Sequence, residues 1–240
     1  GSGGTPMTHE QLLSYIPEDQ LDTPFVRVLA NMPEDIISSM VVTTAEPETV
    51  LAYAGDEFRN LYLLLNGTLK LSYELNMEFI YTFAFVDAVN ILGETESFTH
   101  YPEFKATITC ATRCQYIVLS RGVFLRWMKT DNDAIYYMAT HVAQKYTTQV
   151  RQDRALLSAS GEDRFLYLLV KYYDSLCRNG VCQIDTPKEQ LADEICVSKK
   201  TISRSISKLK NQNLITVSGH SLIVNKEQYE KILELYEDLF

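Results

Sequence analysis

The sequence predicts an α+β protein: an N-terminal double-stranded β-roll or jelly roll, then a long helix, then a C-terminal winged helix-turn-helix. Three observations carry that prediction. Short apolar runs punctuated by turn residues fill the stretch after Thr49, the period changes to a helical one after Leu119, and two short amphipathic helices followed by a hairpin lie near the C-terminus. With 240 residues, 46% hydrophobic and 22% charged, the chain has enough apolar mass for a real core and no bias towards disorder or fibres.

The net charge of -9 does not advertise a nucleic-acid partner, but it is unevenly spread. Residues 1–160 hold 11 basic and 19 acidic side chains, while residues 161–240 hold 11 and 12. Between Cys196 and Lys210 there are five basic residues and no acid. The five cysteines, Cys110, Cys114, Cys177, Cys182 and Cys196, form an odd set without a disulfide framework or zinc-site spacing. With no signal peptide in view, they read as reduced thiols of a cytoplasmic protein. The opening GSGGTP reads as a tag remnant with Met7 as the expected native start. No apolar run approaches the 18 or so residues of a membrane span, so no membrane partner is expected.

Residues 1–44 comprise that remnant and short helical patches around Leu12–Tyr15, Phe25–Leu29 and Ile36–Met40, broken by Pro17, Pro24 and Pro33. Residues 45–120 read as the roll, with strands expected at Thr49–Tyr53, Leu61–Leu65, Thr68–Tyr73, Phe79–Phe85, Ala106–Cys110 and Gln115–Leu119. Ala54-Gly55-Asp56 and Asn66-Gly67 are natural turns, because Gly and Asn tolerate positive φ. No glycine-rich phosphate or dinucleotide loop is present.

Residues 121–157 read as helices. Ser120 is placed to cap the first, through Phe124, Leu125 and Met128; the second starts after Thr130 or Asp131 and reaches about Leu157. Its apolar positions Ile135, Ala139, Val142 and Tyr146 step by four, three and four, close to a coiled-coil seam. Such a helix packs along the roll as core, bridges to the next domain, or meets its copy in a dimer.

Residues 158–240 form the last domain, after a linker at Ser158-Ala159-Ser160-Gly161. A helix is expected over Asp163–Leu176, and another over Pro187–Ile195 with Thr186 or Asp185 as its cap. Ser198 is placed to cap the next, from Ser198 to Leu209. Leu191, Ala192 and Ile195 make one apolar face; Ile202, Ile206 and Leu209 make the other. The remaining face of the second helix carries Lys199, Lys200, Ser203, Arg204 and Lys208, with Lys210 just beyond: phosphate-neutralising charge and base-edge donors. A solvated basic face would explain that helix alone. The turn, the acid-free face and the hairpin Leu214–Val224 together point to double-stranded DNA in a major groove.

Residues 186–224 resemble the winged helix-turn-helix of the Crp/Fnr family, with Thr201–Ile215, TISRSISKLKNQNLI, similar to its recognition helix and approach to the wing. A β-roll resembling a cyclic-nucleotide-binding domain and a long dimerisation helix stand upstream in the family's order. The resemblance implies a homodimeric transcription regulator that reads near-palindromic DNA, works with RNA polymerase at promoters and answers to a small-molecule effector. Family recognition helices often carry an Arg or small residue, then Glu, then Ser/Gly-Arg. Here Lys199, Lys200, Ser203 and Arg204 stand there, so Ser198, Lys199, Lys200, Ser203, Arg204, Lys208 and Lys210 are the expected DNA-binding set. Lys200 in place of Glu exchanges an acceptor for a donor and puts the family's usual half-site in doubt.

Ile91-Leu92-Gly93-Glu94 resembles the opening of the family's phosphate-binding cassette. The arginine-serine pair that grips a cyclic phosphate falls on Phe104-Lys105 or Lys105-Ala106, where there is no arginine, so cyclic AMP is not the expected effector. Glu94 and Lys105 face a polar ligand or form a rim ion pair. Phe79, Tyr81, Phe83 and Phe85 alternate with Ile80, Thr82, Ala84 and Val86, which predicts burial on both faces; the aromatic side fills the core or lines an effector pocket. His9, His100, His141 and His220 lack metal-ligand spacing, and no nucleophile motif occurs, so neither an enzyme, a metal nor a cofactor is expected. Some family sensors carry haem, which nothing here specifies. Others carry an iron–sulfur cluster on N-terminal cysteines, and no Cys precedes Cys110. The alternative to a regulator is a ligand-binding or scaffolding protein of this fold without an operator.

Overall fold

The computed structural model describes residues 6–76 and 79–239, with side chains described outside 75–81 and 151–158. It divides into two compact units, residues up to 73 with 85–145, and residues 74–84 with 146 onward. No helix among the described residues is long and apolar enough to cross a membrane.

In the first unit, a side-chain cap and two prolines set where the short helices begin. α1 (His9–Ser14) is closed by a Thr8–Gln11 capping box, α2 (Pro24–Ala30) has Pro24 in its first turn, and α3 (Glu34–Ile37) follows Pro33. The strands are β1 (Val42–Ala45), β2 (Val50–Ala52), β3 (Asn60–Asn66), β4 (Thr68–Asn76), β5 (Phe79–Asp87) and β6 (Asn90–Leu92), then α4 (Glu94–Thr99), β7 (Thr107–Cys110) and β8 (Cys114–Ser120). They form two four-stranded sheets, β1-β8-β3-β6 and β2-β7-β4-β5, with the pairings set out in register all antiparallel. Asn66-Gly67 is the corner where the chain leaves one sheet for the other. Gly67 has φ +96°, and a Cβ there would stand 2.5 Å from the Arg113 carbonyl oxygen, so only glycine fits.

β3 shows how the sheets are covered. Leu61, Leu63 and Leu65 face a core shared with Leu12, Leu29, Ile36, Phe124 and Trp127, whereas Tyr62 and Leu64 face the roll interior with Leu69, Ile108 and Tyr116. A strand buried on both faces needs a continuous apolar run, which Leu61–Leu65 supplies. β5 is different. It lies at a sheet edge, and Thr82 to Val86 are only half-buried, so the expected burial on both faces is not found there.

α5 (Arg121–Thr130) is capped by Ser120, whose hydroxyl accepts from Val123 N at 3.2 Å. α6 (Asn132–Ser158) is a single helix of 27 residues. Asp131 fixes its start with both carboxylate oxygens, one accepting from Ala134 N at 3.1 Å and the other from Trp127 Nε1 at 3.0 Å.

The second unit is built on α7 (Gly161–Leu176), closed by a Ser160–Asp163 capping box and burying Phe165 to Val170. β9 (Val181–Ile184) follows, then α8 (Lys188–Glu194), α9 (Lys199–Asn211), β10 (Thr216–Ser218), β11 (Ser221–Asn225) and α10 (Lys226–Glu237). β9 adds a third strand to the expected hairpin, in the order β10-β11-β9. The expected caps of α8 are not used. Pro187 is the N-cap, Thr186 is buried and donates to Tyr172 Oη, and Asp185 accepts from Gln183 and Ser221.

Candidate DNA-reading helix and sensor cleft

α8 and α9 are held as a pair by their turn. Val197 N donates to the Ala192 carbonyl at 3.0 Å, Cys196 takes φ +52°, and Ser198 Oγ accepts from Thr201 N at 3.1 Å. Ile202, Ser205, Ile206 and Leu209 of α9 are buried, as are Leu191, Ala192 and Ile195, and α8 and α9 pack on each other. At 100° per residue the opposite face carries Lys200, Ser203, Arg204 and Ser207, flanked by Lys199, Lys208 and Lys210. Every cation of the predicted set is exposed, and Ser203 is half-buried.

Their charges are not equally free. Lys199 pairs with Glu189, and Lys208 pairs with Glu162 at the start of α7. Among the described residues, Lys200, Arg204 and Lys210 have no carboxylate partner. The N-terminus of α9 adds donor groups and positive dipole character to the same end. Sequence reasoning missed Arg164, whose guanidinium donates to the carbonyls of Ala159 and Ile195, both at 3.1 Å, and so pins the helix-turn-helix turn. Ser207 was legible from its spacing to Ser203 and Arg204.

The roll holds a cleft of about 270 Å³ bounded by Leu71, Val86, Leu92, Glu94, Glu96 and Lys145. Gly93 opens α4 at φ +104°, and a Cβ there would come within 2.8 Å of the Phe58 ring. That conformation turns Glu94 inward, where it is 2% exposed. Its carboxylate is met by two side chains of α6: Lys145 Nζ forms an ion pair with Oε1, and His141 Nε2 stands 3.7 Å from the same oxygen. Burial, then the neighbouring Lys145 charge, hold His141 below its ordinary value against the pull of Glu94.

Of the other predicted effector residues, Lys105 and Phe85 do not border this cleft. Lys105 is exposed, with Nζ 4.7 Å from the centroid of the Tyr101 ring, and the expected pairing with Glu94 is not formed. The cleft meets β5 through Val86, on the opposite face to Phe83 and Phe85. Phe79 and Tyr81 lie outside the described side chains.

The predicted seam on α6 divides. Ala134 and Met138 are fully buried in the roll's helical core, Ile135 and Val142 are half-buried, Ala139 is exposed, and Tyr146 is 70% exposed. The roll therefore takes one edge of the apolar stripe and leaves the other open. Among the described residues, no cluster of His, Cys, Asp and Glu is arranged to hold a metal ion.

This architecture defines a DNA-binding regulator with a cyclic-nucleotide-binding-like domain. The cyclic nucleotide-binding domain family matches residues 42–131, and the Crp-like helix-turn-helix family matches residues 163–231. The chain belongs to the Crp/Fnr family of transcription regulators. It is 22% identical over 182 residues to the cAMP-activated global transcriptional regulator CRP of Haemophilus influenzae, covering 74% of this chain and 80% of that one. Its fold is similar to that of a Crp/Fnr-family transcriptional regulator from Thermus thermophilus, with a TM-score of 0.54, 18% identity, and coverage of 82% and 98%. The c-di-GMP responsive global regulator CLP of Xanthomonas campestris is similar too, at TM-score 0.54, 16% identity, and coverage of 78% and 94%.

Proposed function

We propose that the protein is a homodimeric, sequence-specific regulator of transcription in the cytoplasm, and that a small effector other than cyclic AMP controls it. The observation that carries this reading is the face of α9, where Lys200 and Arg204 stand exposed on either side of a half-buried Ser203 while Ile202, Ile206 and Leu209 seat the helix. In the working division, residues 45–120 sense, 121–157 dimerise and 158–240 bind DNA. Arg204 and Lys200 read base edges, Ser203 meets a base or phosphate, and Ser198, Lys199, Lys208 and Lys210 meet the backbone. Ile135, Ala139, Val142 and Tyr146 meet their copies, which gives two recognition helices for the halves of a near-palindromic site. RNA polymerase is the partner at the promoter.

Two features speak against cyclic AMP. Residues 104–106, where the family's phosphate-gripping pair falls, hold no arginine, and Glu94 is already engaged by Lys145. The effector acts by its different affinity for two arrangements of the dimer, only one of which spaces the recognition helices for DNA. Selection of bound duplexes from a random library tests the reading; a chain that enriches no sequence is a ligand-binding or scaffolding protein instead.

A further inference from the structure

We propose that the cleft beside Gly93 and Glu94 receives a small primary-ammonium ligand, and that Lys145 stands in for that ligand when it is absent. The binding step rests on the cleft alone; its regulatory consequence rests on the reading above.

Glu94 shows what the cleft selects. The residue is 2% exposed, and a buried carboxylate is costly unless a cation or several donors meet it. The group that meets it is the ammonium of Lys145, whose side chain is 54% exposed and so arrives from the solvent side. His141 Nε2 is buried beside the same oxygen without a hydrogen-bond partner, and burial favours its neutral form, which leaves Lys145 to supply the charge. Glu96 also borders the cleft and has no ion pair among the described residues. Two carboxylates against one ammonium give the cleft a negative balance, which repels carboxylates, phosphates and nucleotides. Leu71, Val86 and Leu92 offer a short alkyl or aryl tail an apolar wall.

An ammonium ligand therefore replaces Lys145 on Glu94, and the half-exposed lysine returns to water. Since Lys145 belongs to α6 and Glu94 to the roll, the exchange cuts a link between sensor and helix, and with it shifts the population of regulatory states. A tethered lysine competes at an effective concentration on the order of millimolar or more, so the intact chain binds a simple amine weakly. Removing Lys145 unmasks the site.

The test is calorimetric titration of the full chain and of Lys145→Ala with n-butylammonium chloride, sodium butyrate and cyclic AMP. Lys145→Ala should bind butylammonium at least about tenfold more tightly than the parent does. Butyrate and cyclic AMP should bind neither protein, and Lys145→Ala with Glu94→Gln should lose the amine. Equal amine affinity in parent and Lys145→Ala, binding of butyrate as strong as that of butylammonium, or amine binding retained in the double variant would overturn the proposal. Should Lys145→Ala be destabilised, its Tm gives the same readout: butylammonium should raise it more than it raises the parent's, and no rise counts against the site. Duplex binding is measured separately. A chain that takes the amine but no DNA keeps the site and discards the regulator, and the converse result discards only the site.

Discussion

Arg164 donates to the Ile195 carbonyl oxygen at 3.1 Å, tying the first turn of α7 to the end of α8, 31 residues later. The backbone there is committed to a turn with Cys196 at φ +52°, so its carbonyls have no helical partner and need one from outside. Arg164→Ala should cost about 1.5–3 kcal/mol, the range for hydrogen bonds to charged groups. It should also weaken binding to every duplex, because α9 loses its anchor without losing a DNA contact. Urea denaturation beside DNA titration checks this; a variant of unchanged stability would show the contact to be idle.

The cations of α9 should separate by role. Arg204→Ala should flatten the discrimination between selected and scrambled duplexes, by about 1–3 kcal/mol if Arg204 makes a bidentate base contact. Lys208→Ala should weaken both alike and reduce the salt slope by about one. Because Glu162 holds Lys208, Glu162→Gln should strengthen binding to all duplexes, by about fivefold or less given the modest worth of a surface pair. Fluorescence anisotropy at matched ionic strength reads all three. An unchanged selected-to-scrambled ratio in Arg204→Ala would remove Arg204 as a base reader.

Tyr146 on α6 is 70% exposed in the single chain, beside exposed Ala139. Sedimentation equilibrium should give about twice 27.4 kDa. Tyr146→Glu should move the mass to that of one chain at micromolar concentration while the thermal melt of the roll persists, since this side chain takes no part in the roll's core. A parent chain that stays monomeric, free and with duplex DNA, contradicts the seam.

The buried setting of His141 predicts the sign of a pH dependence in the fold. Burial lowers its pKa from the ordinary 6.5, so below that value the unfolded chain takes up the proton first and acid favours unfolding. This contribution is intact above about pH 6.5, erodes as the pH falls and levels off below the folded value. His141→Gln should flatten the difference between melting temperatures measured at pH 7.5 and pH 5.5. Parallel curves for parent and variant would mean that His141 is not held neutral by its surroundings.

Much of this was legible locally. Caps at Ser120 and Ser198 follow from side chains that reach the next turn, and the inward faces of α8 and α9 follow from spacing alone. The strands that escaped are short or masked by their neighbours. β9 is four residues between Pro187 and a turn where Asn179 and Gly180 both take positive φ, too few for alternation to register, and it exists because β11 offers an edge. The cap of α8 was misread because Thr186 is drawn into the core by Tyr172, a tertiary pull invisible to local pattern. The cleft beside Glu94 was half legible. Gly93-Glu94 stood out as a motif, but Lys145 lies 51 residues further on, and nothing local distinguishes it from Lys105 as the partner of Glu94.

The central claim is that α9 reads sequence in duplex DNA, and selection from a random duplex library tests it most directly. The parent chain should enrich a near-palindromic motif whose half-sites lie about one helical turn, roughly 10–10.5 base pairs, or a multiple apart, while Arg204→Ala in the same selection should lose the preference at the positions it reads. No enrichment by the parent, or the same motif recovered at equal strength by Arg204→Ala, would contradict it.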